Sequence, residues 1–196
     1  MRVRELLAPE RTHFHVQGVS KKRLLDQAAQ LVASSCSSLT EQQVFDALVA
    51  RERLGSTGIG EGIAIPHCRL ATCQAPIGLL LQLEQPIDFE SIDNKPVDLV
   101  FVLLVPENNP EQHLKTLSHL AALFNEASYR QQLRSAGSAE ELFKRAASSE
   151  EELQLASRNW SSSVVVPDLA KPPRCKRWRI LVITVSTTCH LAYSQY

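Results

Sequence analysis

The segment from Gly55 to Arg69 combines clustered glycines with a histidine that follows a proline. It reads GSTGIGEGIAIPHCR and holds four of the seven glycines of the chain. Clustered glycine predicts a backbone that bends tightly or approaches another group closely. The segment lacks the Lys-Ser/Thr ending of a P-loop and follows no predicted strand, which argues against a nucleotide-binding fingerprint. On the glycines alone, a structural turn is an equally good interpretation.

His67 is the residue in this segment with the clearest chemical potential. It follows the apolar run Ile63-Ala64-Ile65, which predicts a strand, and Pro66, which restricts the backbone. A histidine held there can donate from one ring nitrogen to a nearby carbonyl and present the other nitrogen outward. A neutral nitrogen oriented in this way is a competent nucleophile toward a phosphoryl group. The alternative is a core histidine with a satisfied hydrogen bond.

Cys68 offers a second nucleophile beside His67. Adjacent residues on an extended chain face opposite ways, which disfavours a Cys/His pair. Cys68 and Cys73 also lack zinc-site spacing, so we expect no metal and no cofactor. A hydrolase or transferase that uses Cys68 with a histidine base stays an alternative function, as does a module whose glycine loop grips an anion.

His113 and His119 lie on a predicted helix that begins after Pro106. The cap Asn109, Pro110 at the first helical position and Gln112 in a capping box define its start. Helical spacing groups His113 with apolar side chains, which favours it over His119 as the inward histidine. The apolar face is formed by Leu114, Leu117, Leu120, Ala121 and Phe124.

The remaining elements alternate helices with buried strands. Ser20 and Thr40 cap two predicted helices, and Ser138 caps a third near residue 140. The runs 77–83 and 97–105 are too apolar for surface strands and predict buried ones. This pattern predicts an α/β or α+β fold with helices packed on a sheet.

Composition divides the chain near residue 156. Lys and Arg number 21 against 21 Asp and Glu, so net charge gives no general reason to expect a nucleic-acid partner. Residues 157–196 hold six of the basic residues and Asp168 as the one acidic residue, together with several serines and prolines. We expect one domain at 1–156 and a basic, disordered extension at 157–196. Five unclustered cysteines, no signal peptide and no long apolar run predict a cytoplasmic protein without membrane insertion.

The glycine segment and several flanking motifs resemble the type 2 EIIA domains of the bacterial phosphotransferase system. The resemblance covers roughly residues 1–153, and the nitrogen-regulatory branch fits best among mannitol-, fructose- and nitrogen-type domains. It rests on four stretches of sequence. These are residues 51–67 (REx₂GSTGIGxGIAIPH), residues 20–23 (SKKR), residues 92–99 (IDNKPVDL) and residues 103–106 (LLVP).

The resemblance implies a fold and a set of roles that the residues alone do not establish. It implies a mixed sheet flanked by helices, His67 as the phosphorylated residue and His113 as a hydrogen-bond donor to the phosphoryl group. It implies that Arg51 neutralises that group, and a guanidinium can hold two phosphoryl oxygens at once. A solvated cation at a helix end is the alternative for Arg51. Spacing does not choose between Arg51 and the neighbouring Arg53.

The resemblance also implies partners rather than a free-standing metabolic enzyme. The donor would be a phosphorylated HPr-like protein, here NPr, because no nucleotide-binding motif is visible. The regulated targets would be proteins such as potassium-transport proteins or a sensor kinase. A mannitol- or fructose-type component of sugar uptake is the alternative, since those domains share the same core signature.

Overall fold

A six-stranded mixed sheet with helices on both faces forms the centre of the fold. The computed structural model describes residues 2–18, 20–108 and 110–148. The helices are α1 (Val3–Leu6), α2 (Lys21–Ser35), α3 (Glu41–Glu52), α4 (Pro110–Asn125), α5 (Ala127–Arg134) and α6 (139–148), with a 3₁₀ turn at Pro9–Arg11. The strands are β1 (Thr12–Val16), β2 (Gly58–Gly60), β3 (Ile63–Ala64), β4 (His67–Leu70), β5 (Ile77–Ile87) and β6 (Val97–Pro106). The predicted mixed sheet flanked by helices is confirmed.

Strand order places the two predicted apolar strands in the middle of the sheet. The order is β1-β5-β6-β3-β2, and β4 also pairs with β6. Strands β5 and β6 are antiparallel, whereas β3 and β4 each run parallel to β6. Both strands extend beyond the predicted runs 77–83 and 97–105, since β5 continues to Ile87 and β6 to Pro106.

The central strands are apolar along their length because both of their faces are buried. Side chains of β6 alternate between two separate cores. Val100, Val102 and Leu104 pack with α2 and α3. Leu99, Phe101 and Leu103 pack with α1, α4, α5 and α6 on the other face. A strand covered twice loses the polar alternation of a surface strand.

Local capping signals set three helix starts as predicted. Ser20 Oγ accepts from the backbone N–H of Arg23 at 3.3 Å, and Thr40 Oγ1 accepts from that of Gln43 at 3.3 Å. Ser138 Oγ accepts from the N–H of Glu141 at 3.2 Å. The predicted cap at residue 109, the side chain of residue 112 and the boundary at residue 156 lie outside the described part.

Strands β3 and β4 run along β6 in one register, interrupted at Ile65 and Pro66. Ile63 pairs with Leu99, and His67 pairs with Leu103. Pro66 has no N–H, but its carbonyl still accepts from the N–H of Leu103 at 2.8 Å. The interruption leaves the carbonyl of Ile65 free to accept a side-chain hydrogen bond.

Gly58 and Gly62 show both reasons why glycine is clustered here. A Cβ at Gly58 would lie 2.5 Å from Ser91 Oγ and 2.9 Å from Ser91 Cα, so the backbones approach closely. Gly62 has φ of 80°, in the left-handed region, and a Cβ there would lie 2.6 Å from Asp98 Oδ1. Both glycines keep β2 and β3 close to the rest of the sheet.

Helix α4 differs from its predicted packing at one position. Leu117, Leu120 and Phe124 pack on the sheet as expected. Leu114 is 66% exposed, so its assignment to the apolar face was wrong. In the described part of the chain, no helix is long and apolar enough to cross a membrane.

Candidate functional site

His67 is held by a backbone carbonyl that defines its tautomer. The ring lies at the start of β4, with Nδ1 2.8 Å from the carbonyl oxygen of Ile65. A carbonyl oxygen can only accept, so Nδ1 carries the proton and donates. Nε2 therefore keeps its lone pair.

Arg51 approaches the same ring from the last turn of α3. Its Nε–H donates to His67 Nε2 at 3.0 Å, and its Nη1–H donates to the carbonyl of Gly55 at 3.1 Å. A guanidinium can only donate, so this contact independently requires a lone pair on Nε2. The neighbouring Arg53 is exposed and does not border the cleft that contains His67. The structure thus distinguishes two arginines that spacing left open.

Burial favours the neutral form of His67. Removal from water is the main reason that the pKa of His67 lies below its ordinary value. The hydrogen bond to Ile65 partly opposes this effect, and the positive charge of Arg51 lowers the pKa further. A neutral ring with one free lone pair is the nucleophilic form of histidine.

His113 lies in the first turn of α4 and faces His67. The ring centroids are 5.4 Å apart and the planes meet at 61°. His113 Nε2 is buried and has no hydrogen-bond partner in the described part of the chain. Burial, and then the His67, Arg69 and Arg51 groups, lower the pKa of His113. His119 does not border this cleft, so the structure brings His113 and not His119 to His67.

Cys68 is unsuited to nucleophilic chemistry although it borders the same cleft. Its side chain is 5% exposed and belongs to the core under α2 and α3. Burial raises the pKa of the Cys68 thiol to about 12. Since the thiolate is the reactive form of cysteine, Cys68 is unreactive near neutral pH.

The cleft around His67 has a volume of about 600 Å³ and carries charged and apolar groups that the sequence did not single out. Arg69 lies two residues beyond His67 on β4, and Glu107 follows the end of β6. Leu54 and Leu114 border the opening and are 84% and 66% exposed. Strand alternation after His67 was the signal that could have identified Arg69.

Glu52 fixes the turn that connects α3 to the glycine segment. Its carboxylate accepts from the backbone N–H of Thr57 at 3.1 Å and from the Thr57 hydroxyl at 2.6 Å. Lys21 Nζ lies 2.7 Å from the same carboxylate, whose side chain is 8% exposed. These three residues, Lys21, Glu52 and Thr57, form what we call the Glu52 clamp. The clamp holds the chain next to Gly55, whose carbonyl in turn holds Arg51.

The described residues contain no group of three or more His, Cys, Asp or Glu side chains placed to hold a metal ion.

Comparison with known families adds to this geometry the family of the chain. The family described as "Phosphoenolpyruvate-dependent sugar phosphotransferase system, EIIA 2" matches residues 5–148. The chain belongs to this EIIA type 2 family. Its matched region contains every element from α2 to α5 and the cleft around His67.

Curated proteins and solved structures from several bacteria are similar to this chain. A nitrogen regulatory protein of Pseudomonas aeruginosa is 52% identical over 143 residues, 73% of this chain and 93% of the relative. The crystal structure of IIA-Ntr from Neisseria meningitidis matches with a TM-score of 0.69 at 42% identity, covering 74% of this chain and 98% of that one. Mannitol IIA from Escherichia coli matches with a TM-score of 0.61 at 19% identity, over 72% and 99%. The mannitol protein shares the fold.

Proposed function

We propose that this EIIA type 2 protein is a phosphoryl carrier of the nitrogen-regulatory branch. Nε2 of His67 accepts a phosphoryl group from a phosphorylated HPr-like protein such as NPr. The phosphorylation state then regulates target proteins, such as potassium-transport proteins or a sensor kinase. The similarity to a nitrogen regulatory protein at 52% identity supports this branch.

The main support for the proposal is that the hydrogen bonds of His67 leave a lone pair on Nε2. Two neighbours fix it from opposite sides of the ring, since Ile65 accepts from Nδ1 and Arg51 donates to Nε2. Transfer of a phosphoryl group between nitrogen atoms needs in-line positioning and charge neutralisation, and little other covalent work. A fixed nucleophile beside a guanidinium supplies both.

Arg51 has two successive roles in this mechanism. In the unmodified protein its Nε–H occupies the lone pair that must attack phosphorus. The oxygens of an incoming phosphoryl group compete for the guanidinium, because an anion is a stronger acceptor than a neutral nitrogen. Arg51 then leaves Nε2 and binds the oxygens, while Ile65 keeps the proton on Nδ1.

His113 completes the mechanism as a donor to the phosphoryl group. Its unpartnered, buried Nε2 is costly to leave unsatisfied, and an oxygen on His67 would satisfy it. In this role the ring carries its proton on Nε2 and remains neutral. It holds the phosphoryl group without accepting it.

Radiolabel transfer from a purified, phosphorylated NPr-type donor tests the proposal. We expect label on His67, mapped by mass spectrometry and lost in mild acid, as phosphohistidine is. Label on Cys68 or on another residue, or no transfer at all, would refute the carrier assignment.

Donor preference separates the proposal from its alternative, an EIIA component of mannitol- or fructose-type sugar uptake. We expect faster phosphorylation by NPr than by the HPr of sugar transport in parallel reactions. A reversed preference would favour sugar uptake.

A further inference from the structure

Arg69 is a cation in the cleft that the proposed mechanism leaves unused. It lies on β4 two residues after His67, so the two side chains project from the same face of the strand. Cys68, between them, points into the opposite core. Arg69 is exposed, borders the cleft and forms no hydrogen bond or ion pair with the described residues.

The positive side chains around His67 do not balance the negative charge of an incoming phosphoryl group. Such a group adds about −1.5 to −2 charges near neutral pH. Before the nitrogen–phosphorus bond forms, Arg51 supplies one positive charge, and both histidines are favoured in their neutral forms. Glu107, on the cleft wall, is negative and adds to the deficit. A second cation would offset this negative charge during transfer, and Arg69 is the other arginine among the described residues that line the cleft.

We propose that Arg69 is a second ligand of the phosphoryl group, binding its oxygens during transfer to His67. This inference rests on the proposed function of His67. Cα atoms two apart on a strand are separated by about 6.6 Å, a span that an extended arginine side chain crosses. The charge of Arg69 already acts across the cleft, because it contributes to the lowered pKa of His113.

A small-molecule phosphoryl donor can show whether Arg69 contacts the phosphoryl group or the surface of a donor protein. Phosphoramidate has a nitrogen–phosphorus bond and no protein surface. In the reaction, His67 Nε2 forms a bond to phosphorus, the bond to the amide nitrogen breaks, and the protonated nitrogen leaves as ammonia. His67 keeps its proton on Nδ1, so atoms and charge balance.

The decisive experiment compares Arg69→Gln with wild-type protein in phosphorylation by phosphoramidate, followed by ³¹P NMR. We expect a rate constant about tenfold lower for Arg69→Gln. The loss is smaller than for a buried anion-binding donor because Arg69 is exposed. Arg69→Lys, which restores a positive charge, should recover most of the rate.

Arg53→Gln is the matched control, since Arg53 is an exposed arginine that does not border the cleft. It should react within about twofold of wild type, and all variants should show the same thermal unfolding. A wild-type rate for Arg69→Gln with phosphoramidate would overturn the inference. So would a defect seen with the NPr-type donor alone, which would make Arg69 a contact for the donor protein. Failure of the wild-type protein to acquire phosphate on His67 would instead refute the proposed function, and this inference with it.

Discussion

At the scale of single residues, the proposed function depends on one nitrogen atom. His67 Nε2 is fixed by Ile65 through the ring and by Arg51 directly. The sequence indicated His67 because glycine, proline and histidine are close neighbours in the chain. It could not reveal the Ile65 carbonyl as a partner, since that depends on the interruption between β3 and β4.

We predict that His67→Ala abolishes phosphoryl acceptance while the fold persists. The ring is only partly buried, so its loss removes a nucleophile and few core contacts. Label uptake from the phosphorylated donor and thermal unfolding should be measured together. His119→Ala is the control, because His119 is on the same helix as His113 but outside the cleft. Residual label uptake by His67→Ala would show that another residue accepts the phosphoryl group.

We predict that Arg51→Lys slows phosphoryl transfer more than it weakens donor binding. Lysine keeps the charge but loses the planar pair of donors that fits two phosphoryl oxygens. The rate constant should fall by about tenfold or more, with the donor concentration for half-maximal rate little changed. Stopped-flow or quench measurements over a range of donor concentrations give both values. Wild-type kinetics would show that Arg51 is only a helix-end cation.

At the scale of elements, the site depends on the connection between α3 and β4. The Glu52 clamp holds the turn after α3, and Arg51 reaches His67 only from that helix end. Arg51 and Glu52 are adjacent in the chain. Arg51 contacts His67, and Glu52 holds the turn that contains Gly55, whose carbonyl accepts a hydrogen bond from Arg51.

We predict that Glu52→Gln lowers both stability and transfer rate. A glutamine has one acceptor oxygen for the Thr57 groups and no charge for Lys21. The free energy of unfolding should fall by about 1–3 kcal/mol. Urea unfolding measures this, and the same preparation gives the transfer rate. Glu90→Gln removes the exposed partner of Lys21 and is the control. Equal effects of the two changes would argue against the clamp.

Elements with local sequence signals were predictable, and those without such signals were not. Helices α2 and α3 begin at Ser20 and Thr40, whose side chains bond to backbone nearby in the chain. Helix α5 was missed because its cap, Glu126, makes no side-chain capping hydrogen bond. Strand β1 was missed because its burial comes from pairing with β5, far away in sequence.

Contacts between residues that are distant in the chain were also not predictable at the site. Arg51 and Arg53 were equal by spacing. The family resemblance implied Arg51, and the position of α3 beside β4 places Arg51 against His67. Arg69 was overlooked because its relation to His67 becomes visible once residues 67–70 are known to form a strand.

At the scale of the whole molecule, three histidines make the free energy of unfolding depend on pH. Burial is the main cause that lowers the pKa of His13, His67 and His113. The folded chain therefore binds fewer protons than the unfolded chain between each lowered pKa and the ordinary value of 6.5. Stability rises with pH wherever the unfolded state binds more protons.

We predict that the free energy of unfolding falls as pH is lowered from 7.5 to about 5, before most carboxylates titrate. Urea unfolding at several pH values measures the slope. His13→Gln should reduce the slope relative to the wild-type protein, because His13 is one of the three histidines whose pKa is lowered by burial. A flat profile would contradict burial as the cause.

We predict that truncation after residue 156 preserves phosphoryl acceptance on His67 and improves solubility. The described residues already contain the sheet, its helices and the cleft. Full-length and truncated protein should be compared in one transfer assay. Loss of transfer, or unfolding of the shortened chain, would show that residues beyond 156 belong to the domain.

The bond between His67 Nδ1 and the Ile65 carbonyl has a thermodynamic consequence for a relay. A carboxylate in that place would raise the basicity of the ring and strengthen its hold on whatever Nε2 carries. A neutral peptide oxygen orients the ring without that added electron donation. In the proposed carrier, a nitrogen–phosphorus bond formed on Nε2 would keep a high transfer potential, so the phosphoryl group could pass to an acceptor or return to its donor. If His67 is the phosphoryl carrier that we propose, this backbone atom suits it to exchange the phosphoryl group rather than to store it.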